Sequence, residues 1–343
     1  MSRPLHIGID TVFFTNTYSG ISKVWETLLY NLNLDNIKIT LLVRQNSKFT
    51  NKNKIYEKYN CVDINPFFYP ILEKDVDYLN MVSKTLELDY FISTYYTYCT
   101  IIPNILLIHD MIPEIFKFNQ NEPMWKQKSL CIKNASHFIT VSKQSQKDLI
   151  KYYPYLAHTN NGYTIQTIYN SVYFSNTNEN NYILQQFNIK PKSYCFTVAT
   201  NNNNYKNNQL IINCWSRYNN EIQKLLNSNI TMIFLGKFEK TYIKNNILFI
   251  SHIDDSILIS LYKNALCTII PSLYEGFSLP MFESFYYQTP VIAIQNDLFD
   301  ELAPNAINYI ENDVDTLFNK IKQLSNNITK VQNKIELGKS IIS

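Results

Sequence analysis

Residues 271–293 are "PSLYEGFSLPMFESFYYQTPVIA". The stretch begins at the end of an apolar, strand-like run, "CTIIP" at 267–271, and finishes in a second one, "PVIAI" at 290–294. Between the two runs, Pro280 suits the first turn of a helix, where its missing N–H costs nothing. A strand, a helix and another strand in direct succession are typical of a parallel α/β sheet.

The same alternation extends in both directions along the chain. The predicted strands are apolar and rich in β-branched residues, as expected of parallel strands covered on both faces. They lie at 5–10, 37–43, 90–94, 104–110, 137–142, 163–170, 194–200, 231–236, 247–252, 267–271 and 290–294. The predicted helices lie at 22–32, 143–153, 207–219 and 255–265, from about 280 onward, and last at 313–326.

An asparagine-rich, polar stretch at 173–192 interrupts this pattern and predicts a linker. The length of 343 residues also fits two domains at roughly 150 residues each. The predicted fold is therefore α/β, with two Rossmann-like, doubly wound parallel-sheet domains facing a cleft. The N-terminal domain covers 1–172 and the C-terminal domain covers 193–343.

Composition excludes several classes of protein. The net charge of +3 and the pI of about 8.3 are too mild to indicate a nucleic-acid partner. The sequence contains no apolar run of about 18 residues and begins without a long apolar leader, so we expect neither a transmembrane helix nor a signal peptide. The 6 cysteines are scattered without a CxxC pair, which favours reduced thiols and a cytoplasmic location.

The loop before Pro280 has the chemistry of an anion site. Unpaired backbone N–H groups and the helix dipole favour negative charge where a helix begins. Glu275 lies in the loop, at the carboxyl end of the preceding strand, and Glu283 lies about one turn into the helix. Ligands of open α/β sheets bind at this edge. The arrangement suits a diphosphate with a hydroxyl-bearing sugar on each side.

The full stretch resembles the E-x(7)-E signature of retaining glycosyltransferases of the GT-B fold, in particular glycosyltransferase family 4. The familiar form is PSxxEGFGLPxxEAxxxGxPV, and here it is PSLYEGFSLPMFESFYYQTPV. Further segments along the chain are similar to that family: "IGIDTVFFTNTYSGISKVWETLL", "ILLIHDMIPE", "ITVSKQSQKDLIKYYP", "FTVATNNNNYKNNQLIINCW" and "NILFISHIDDSILISLYKNA".

The resemblance implies roles for individual residues. Lys206 is expected to contact the donor diphosphate, and Glu283 the ribose hydroxyls of the donor nucleotide. Glu275 is expected to hold the donor sugar and phosphates. It would act with the loop formed by Gly276, Phe277, Ser278 and Leu279. His109 is expected near the reacting sugar, and Gly20 is expected to let the first loop approach the phosphates or the acceptor. Catalysis would rest on His109, Glu275 and Lys206.

The implied reaction is transfer of a sugar from a nucleotide diphosphate sugar, with retention, to a hydroxyl acceptor on a glycan or a lipid-linked glycan. No cofactor and no metal are expected. The triplet Asp75–Val76–Asp77 predicts a helix interior, and the triplet Asp313–Val314–Asp315 predicts a helix N-cap. Neither position suits a metal ion that binds a nucleotide. Peripheral contact with the inner membrane surface and oligomer formation both stay open.

The chain departs from the family form in places that keep an alternative open. The loop "TNNNNY" lacks the arginine that many relatives carry before the lysine matched by Lys206, and the C-terminus is short. Gln288 stands where the family usually has glycine, which predicts an altered approach to the next strand. The alternative is a non-catalytic GT-B relative that binds nucleotide sugar or glycan within a transferase complex. A Rossmann dehydrogenase is disfavoured, because no GxGxxG follows "HIGID".

Overall fold

The structure is a computed structural model that describes residues 3–15, 19–47, 55–68, 72–157, 162–172, 174, 177–199, 204–326 and 328–342. The chain divides into two compact units, residues 1–173 and 174–343. Each unit contains a sheet of seven described strands. The predicted α/β fold with two parallel-sheet domains is therefore confirmed. Of the asparagine run at 201–204, residues 201–203 lie outside the described residues, and Asn204 begins a short 3-10 turn.

The sheet of the first unit is parallel and has the order β3-β2-β1-β4-β5-β6-β7. Its strands are β1 (Leu5–Asp10), β2 (Ile37–Arg44), β3 (Asn60–Ile64), β4 (Tyr90–Ser93), β5 (Asn104–Ile108), β6 (His137–Thr140) and β7 (Thr164–Thr167). Its helices are α1 (Gly20–Asn31), α2 (Ile55–Lys58), α3 (Leu72–Thr85), α4 (Ile112–Ile115), α5 (Pro123–Asn134) and α6 (Lys143–Tyr152).

The second unit has the order β10-β11-β9-β8-β12-β13-β14, parallel except for the edge strand β10. Its strands are β8 (Cys195–Ala199), β9 (Met232–Gly236), β10 (Tyr242–Lys244), β11 (Ile247–Ser251), β12 (Cys267–Ile270), β13 (Val291–Ile294) and β14 (Asn308–Ile310). Its helices are α7 (Tyr182–Gln186), α8 (Asn208–Leu226), α9 (Asp255–Asn264), α10 (Leu279–Tyr286), α11 (Asp297–Leu302), α12 (Val314–Asn326) and α13 (Ile328–Ile342). Strand order reverses between β8 and β12, which is where ligands bind in sheets of this kind.

Part of the stretch predicted as a linker, residues 173–192, forms a helix. Residues 182–186 form helix α7, and Ile183 and Leu184 are buried in the core of the second unit together with Ile189. The stretch is therefore largely a part of that unit. Its few apolar side chains are diluted by asparagine and glutamine, so composition alone conceals the helix.

The predicted last helix is also not the last one. Helix α13 follows α12 and packs on α10. At Gly338 a Cβ atom would lie only 2.4 Å from Cδ1 of Phe285, so the two helices approach through the missing side chain. Helix α13 therefore supports α10, the helix that carries Glu283.

A buried ionic network occupies the carboxyl end of β1. The guanidinium of Arg44 donates two hydrogen bonds to Asp10 and two to Asp75, with distances of 2.5 and 2.9 Å to Asp10 and 2.6 and 3.0 Å to Asp75. The side chains of Arg44 and Asp10 have no exposed surface. Thr97 donates a further bond to Asp10 at 2.7 Å. Asp75, which lies on helix α3 and belongs to the first D-x-D triplet, therefore pairs with the buried guanidinium of Arg44.

We expect Arg44→Met to lower the free energy of unfolding of the first unit by about 3–5 kcal/mol, because it leaves two carboxylates buried without their cation. Urea titration followed by hydrogen exchange of first-unit peptides measures the loss. The matched control is Arg3→Met, since Arg3 is 58% exposed in its pair with Asp89 and should contribute about 1 kcal/mol or less. Equal losses in the two variants would contradict the expectation.

Candidate active site

The loop between β12 and α10 carries most of the predicted site residues. Helix α10 begins at Leu279 with Pro280 in its first turn, as predicted. Glu275 lies in the loop that follows β12, and Glu283 is on the second turn of the helix. The rings of Phe277 and Phe282 stack at 4.7 Å, which holds the loop against the helix.

The end of this loop presents donors to an anion. The backbone N–H groups of Phe277, Ser278 and Leu279 make no hydrogen bond to another described residue. They lie where the helix dipole favours negative charge. Ser278 has the left-handed φ of 67° at the N-cap, a conformation that glycine adopts at lower cost. Its hydroxyl is buried and has no partner among the described residues.

Lys206 reaches this loop from the neighbouring strand. It closes a short 3-10 turn, Asn204–Lys206, after β8. Its Nζ lies 2.7 Å from Oε1 of Glu275, and both side chains are mostly buried, with 17% and 11% of their surface exposed. The structure therefore joins two residues that are 69 positions apart in the sequence.

Backbone contacts fix the turn that carries Lys206. The amide of Leu273 donates to the carbonyl of Tyr205 at 2.8 Å. The side-chain amide of Asn207 donates to the carbonyl of Pro271 at 3.2 Å and to Asn312 at 2.8 Å. The loops after β8 and β12 are thus tied together on both sides of the Lys206–Glu275 pair.

Glu283 has a partner that sequence reasoning missed. The hydroxyl of Tyr262, on α9, donates to Oε2 of Glu283 at 2.7 Å. Burial and the nearby carboxylate raise the pKa of Tyr262 well above its ordinary value, so the phenol keeps its proton. The only signal in the sequence is that Tyr262 lies in a segment similar to the family, and that similarity does not indicate which residue it contacts.

The remaining predicted residues lie in the first unit. Gly20 is the first residue of α1 and is exposed. His109 directly follows β5, which ends at Ile108, whereas the predicted strand extended to 110. Its Nε2 is buried and has no hydrogen-bond partner among the described residues. Burial, followed by the charge of Lys128, lowers the pKa of His109 to about 4, so the imidazole is neutral at physiological pH.

Lys128 shapes the loop around His109. Its Nζ donates to Glu114 at 2.7 Å and to the backbone carbonyl of Asp110 at 3.1 Å. Only 1% of the Lys128 side chain is exposed. The "HDMIPE" segment is therefore held by a buried ion pair, with His109 at its start.

The second D-x-D triplet caps a helix. A carboxylate oxygen of Asp313 accepts from the amide of Thr316 at 2.8 Å, as predicted for the N-cap of α12. Asp315 pairs with Arg217 at 3.1 Å. Within the described part of the chain, no group of three or more His, Cys, Asp or Glu side chains is arranged to hold a metal ion.

At two positions where the family form has glycine, this chain has a different residue whose backbone conformation is one that glycine favours. Ser278 and Gln288 stand at glycines of the family form, and both have positive φ, 67° and 57°. Beyond Gln288 the next strand still pairs in parallel with β12, beginning with Val291 beside Thr268. Strand β13 therefore keeps its parallel pairing with β12 although Gln288 replaces the family's glycine.

Comparisons with known proteins indicate which family this chain is similar to. Residues 181–339 match the model of the family glycosyl transferases group 1. The O-antigen chain mannosyltransferase RfbU of Salmonella typhimurium is 23% identical over 251 residues, which cover 71% of this chain and 67% of that protein. Similarity to a GT-B glycosyltransferase of the family 4 group, indicated by the motifs, is thereby confirmed.

Solved structures of low identity share the fold. WaaG, a glycosyltransferase involved in lipopolysaccharide biosynthesis, is similar with a TM-score of 0.73 at 10% identity, covering 98% of this chain and 95% of that one. The complex of Anabaena Alr3699/HepE with UDP and glucose has a TM-score of 0.69 at 15% identity, covering 99% and 95%. Sucrose-phosphate synthase of Thermosynechococcus elongatus has a TM-score of 0.68 at 12% identity, covering 98% and 94%.

None of the described helices is long and apolar enough to cross a bilayer.

Lowering the pH should destabilise the first unit through His109. Its folded pKa of about 4 lies below the ordinary value of 6.5, so its contribution is fully present above pH 6.5 and is lost as the pH falls toward 4. We expect His109→Asn to flatten this dependence by about 1–3 kcal/mol between pH 7 and 4.5. Urea unfolding at several pH values measures it, and parallel pH curves for the two proteins would refute the expectation.

We expect Ser278→Gly to raise the free energy of unfolding of the second unit by about 1 kcal/mol, because it removes both a left-handed non-glycine residue and a buried unpaired hydroxyl. Ser278→Ala removes only the hydroxyl and serves as the comparison. Urea titration of both variants separates the two contributions. A loss of stability in Ser278→Gly would contradict this account of the turn.

Proposed function

We propose that the protein, whose residues 181–339 match the model of the glycosyl transferases group 1 family, transfers a hexose from a nucleotide diphosphate sugar to a hydroxyl acceptor with retention of configuration. The observation that carries the proposal is the Lys206–Glu275 pair, 2.7 Å apart beside the amino end of α10. It brings a cation, a carboxylate and unpaired amides to one place. Those are the groups that a sugar diphosphate requires.

The donor binds across the β12–α10 loop in this proposal. Its diphosphate lies on the N–H groups of Phe277, Ser278 and Leu279, and Lys206 faces its negative charge. As Lys206 turns toward the phosphates, the carboxylate of Glu275 becomes able to accept hydrogen bonds from the hydroxyls of the sugar. Glu283 accepts from the ribose hydroxyls. Lys206 and Glu275 thus neutralise each other until the donor replaces one partner of the pair.

The reaction needs little covalent chemistry from the protein. The bond between the anomeric carbon and the phosphate oxygen breaks, and the acceptor oxygen bonds to that carbon on the same face. The acceptor proton passes to an oxygen of the leaving diphosphate. Lys206 and the amides stabilise the charge that develops on this leaving group, which is electrostatic catalysis without a metal.

The relatives support a carbohydrate acceptor and a hexose donor. RfbU is named an O-antigen chain mannosyltransferase, and the HepE structure is a complex with UDP and glucose. We propose that the acceptor is a glycan or a lipid-linked glycan, and that the donor nucleotide is among UDP, GDP and ADP.

Thermal unfolding with UDP-glucose, GDP-mannose and ADP-glucose tests donor binding. A ligand at 100 times its Kd adds about 2.7 kcal/mol of stability. We expect one donor to stabilise the wild type. Glu283→Ala and Lys206→Met should each weaken the affinity for that donor at least about tenfold, because each variant loses charge-assisted hydrogen bonds. Glu239→Ala, an exposed carboxylate of the same unit, is the control and should bind as the wild type does.

Product analysis tests the reaction itself. The donor that binds is incubated with oligosaccharide acceptors, and the anomeric proton of the product is examined by NMR. We expect the product to have the same anomeric configuration as the donor. Glu275→Ala should reduce turnover about 100-fold or more. Donor binding without transfer would favour the alternative of a non-catalytic subunit, and an inverted product would refute retention.

A further inference from the structure

We propose that Tyr262 is a positioning residue for the nucleotide, because its hydroxyl holds the carboxylate of Glu283 in the orientation that binds ribose. The inference rests on the proposed function, in which Glu283 accepts from the ribose hydroxyls. It adds a residue from a different helix to the donor site. It also predicts where selectivity for ribose over deoxyribose originates.

The contact is direct and shielded from water. The hydroxyl of Tyr262 donates to Oε2 of Glu283 at 2.7 Å. Tyr262 has no exposed surface, whereas Glu283 is partly exposed. A charge-assisted hydrogen bond in a buried setting is stronger than one in water. One oxygen of the carboxylate is therefore anchored inside the protein while the residue itself still reaches solvent.

The phenol is unable to turn away from Glu283. The ring of Phe196 meets the ring of Tyr262 edge-on at 4.9 Å, and Tyr287 stacks on it at 5.8 Å. The hydroxyl of Thr289 donates to the backbone carbonyl of Tyr262 at 2.6 Å. Aromatic packing and this backbone contact fix the direction in which the hydroxyl points.

A fixed carboxylate binds with less loss of freedom. An unrestrained glutamate populates several rotamers, and ordering it on binding costs affinity. A site is more effective when its contacting groups are held by a supporting layer of hydrogen bonds. Tyr262 supplies that layer for Glu283, so its loss should affect the ribose contact and leave the phosphate contacts unchanged.

The test compares Tyr262→Phe with Tyr194→Phe. Tyr194 is also fully buried in the same cluster, and its hydroxyl donates to the backbone carbonyl of Leu261 at 2.8 Å. Each variant deletes one buried phenol hydrogen bond, and only Tyr262→Phe removes a contact with Glu283. The probes are UDP and GDP, with their 2′,3′-dideoxy forms, and the readout is Kd by calorimetry.

We expect Tyr262→Phe to weaken binding of the ribonucleotide about tenfold and binding of its dideoxy form less than about twofold. Tyr194→Phe should change both by less than about twofold. In turnover, Tyr262→Phe should raise KM for the donor and leave kcat near the wild-type value. Because both nucleotides are measured on one preparation, a partial loss of folded protein cancels in their ratio.

Two results would overturn the inference. If Tyr262→Phe weakens the ribo and dideoxy forms equally, or behaves like Tyr194→Phe, Tyr262 does not position Glu283 for ribose. The proposed function is tested separately by Glu283→Ala. If that variant binds UDP and GDP as the wild type does, the ribose role of Glu283 fails, and the inference that rests on it fails with it.

Discussion

The turn from β12 into α10 is the constraint on which the site depends. Strand β12 is fully buried, so the chain leaves the sheet at its carboxyl edge and starts a helix at Leu279 after a short loop. That geometry makes the first amides of the helix available to a ligand and sets Glu275 before them. Glu283 follows one turn later on the same helix. The left-handed Ser278 and the stacked rings of Phe277 and Phe282 are the local means by which the turn is held.

Charge is handled differently in the two units. In the first unit, Arg44 and Lys128 are buried with carboxylate partners and stabilise loops, which is a structural use of charge. In the second unit, the Lys206–Glu275 pair retains some exposure and lies beside amides that make no hydrogen bond to another described residue. A pair of that kind can exchange its partner for a ligand at modest cost, since the ligand replaces the charge that it displaces. The contrast is the one expected between the proposed donor site and a structural ion pair.

The hydrogen bond between Tyr262 and Glu283 connects the core to the proposed donor site. Helix α9 contributes apolar residues to one cluster of the second unit, and in Tyr262 the same helix extends a polar group to α10. Helix α13 supports α10 from another side through Gly338 and Phe285. The orientation of Glu283 is thus set by packing far from its own position in the chain. A carboxylate with such support is a better binding group than an exposed one.

The sequence by itself determined the α/β class, most buried strands, the start of α10 and the motif from Glu275 to Glu283, because buried parallel strands and helix starts leave local patterns. It did not reveal the exposed edge strands β3 and β10 or the helices α7 and α13, whose apolar residues are interspersed with asparagine, glutamine and lysine. Only the tertiary structure decided that Lys206 meets Glu275 and that Tyr262 meets Glu283. Those contacts join residues 69 and 21 positions apart, and they depend on strand order and helix packing, which local sequence does not encode.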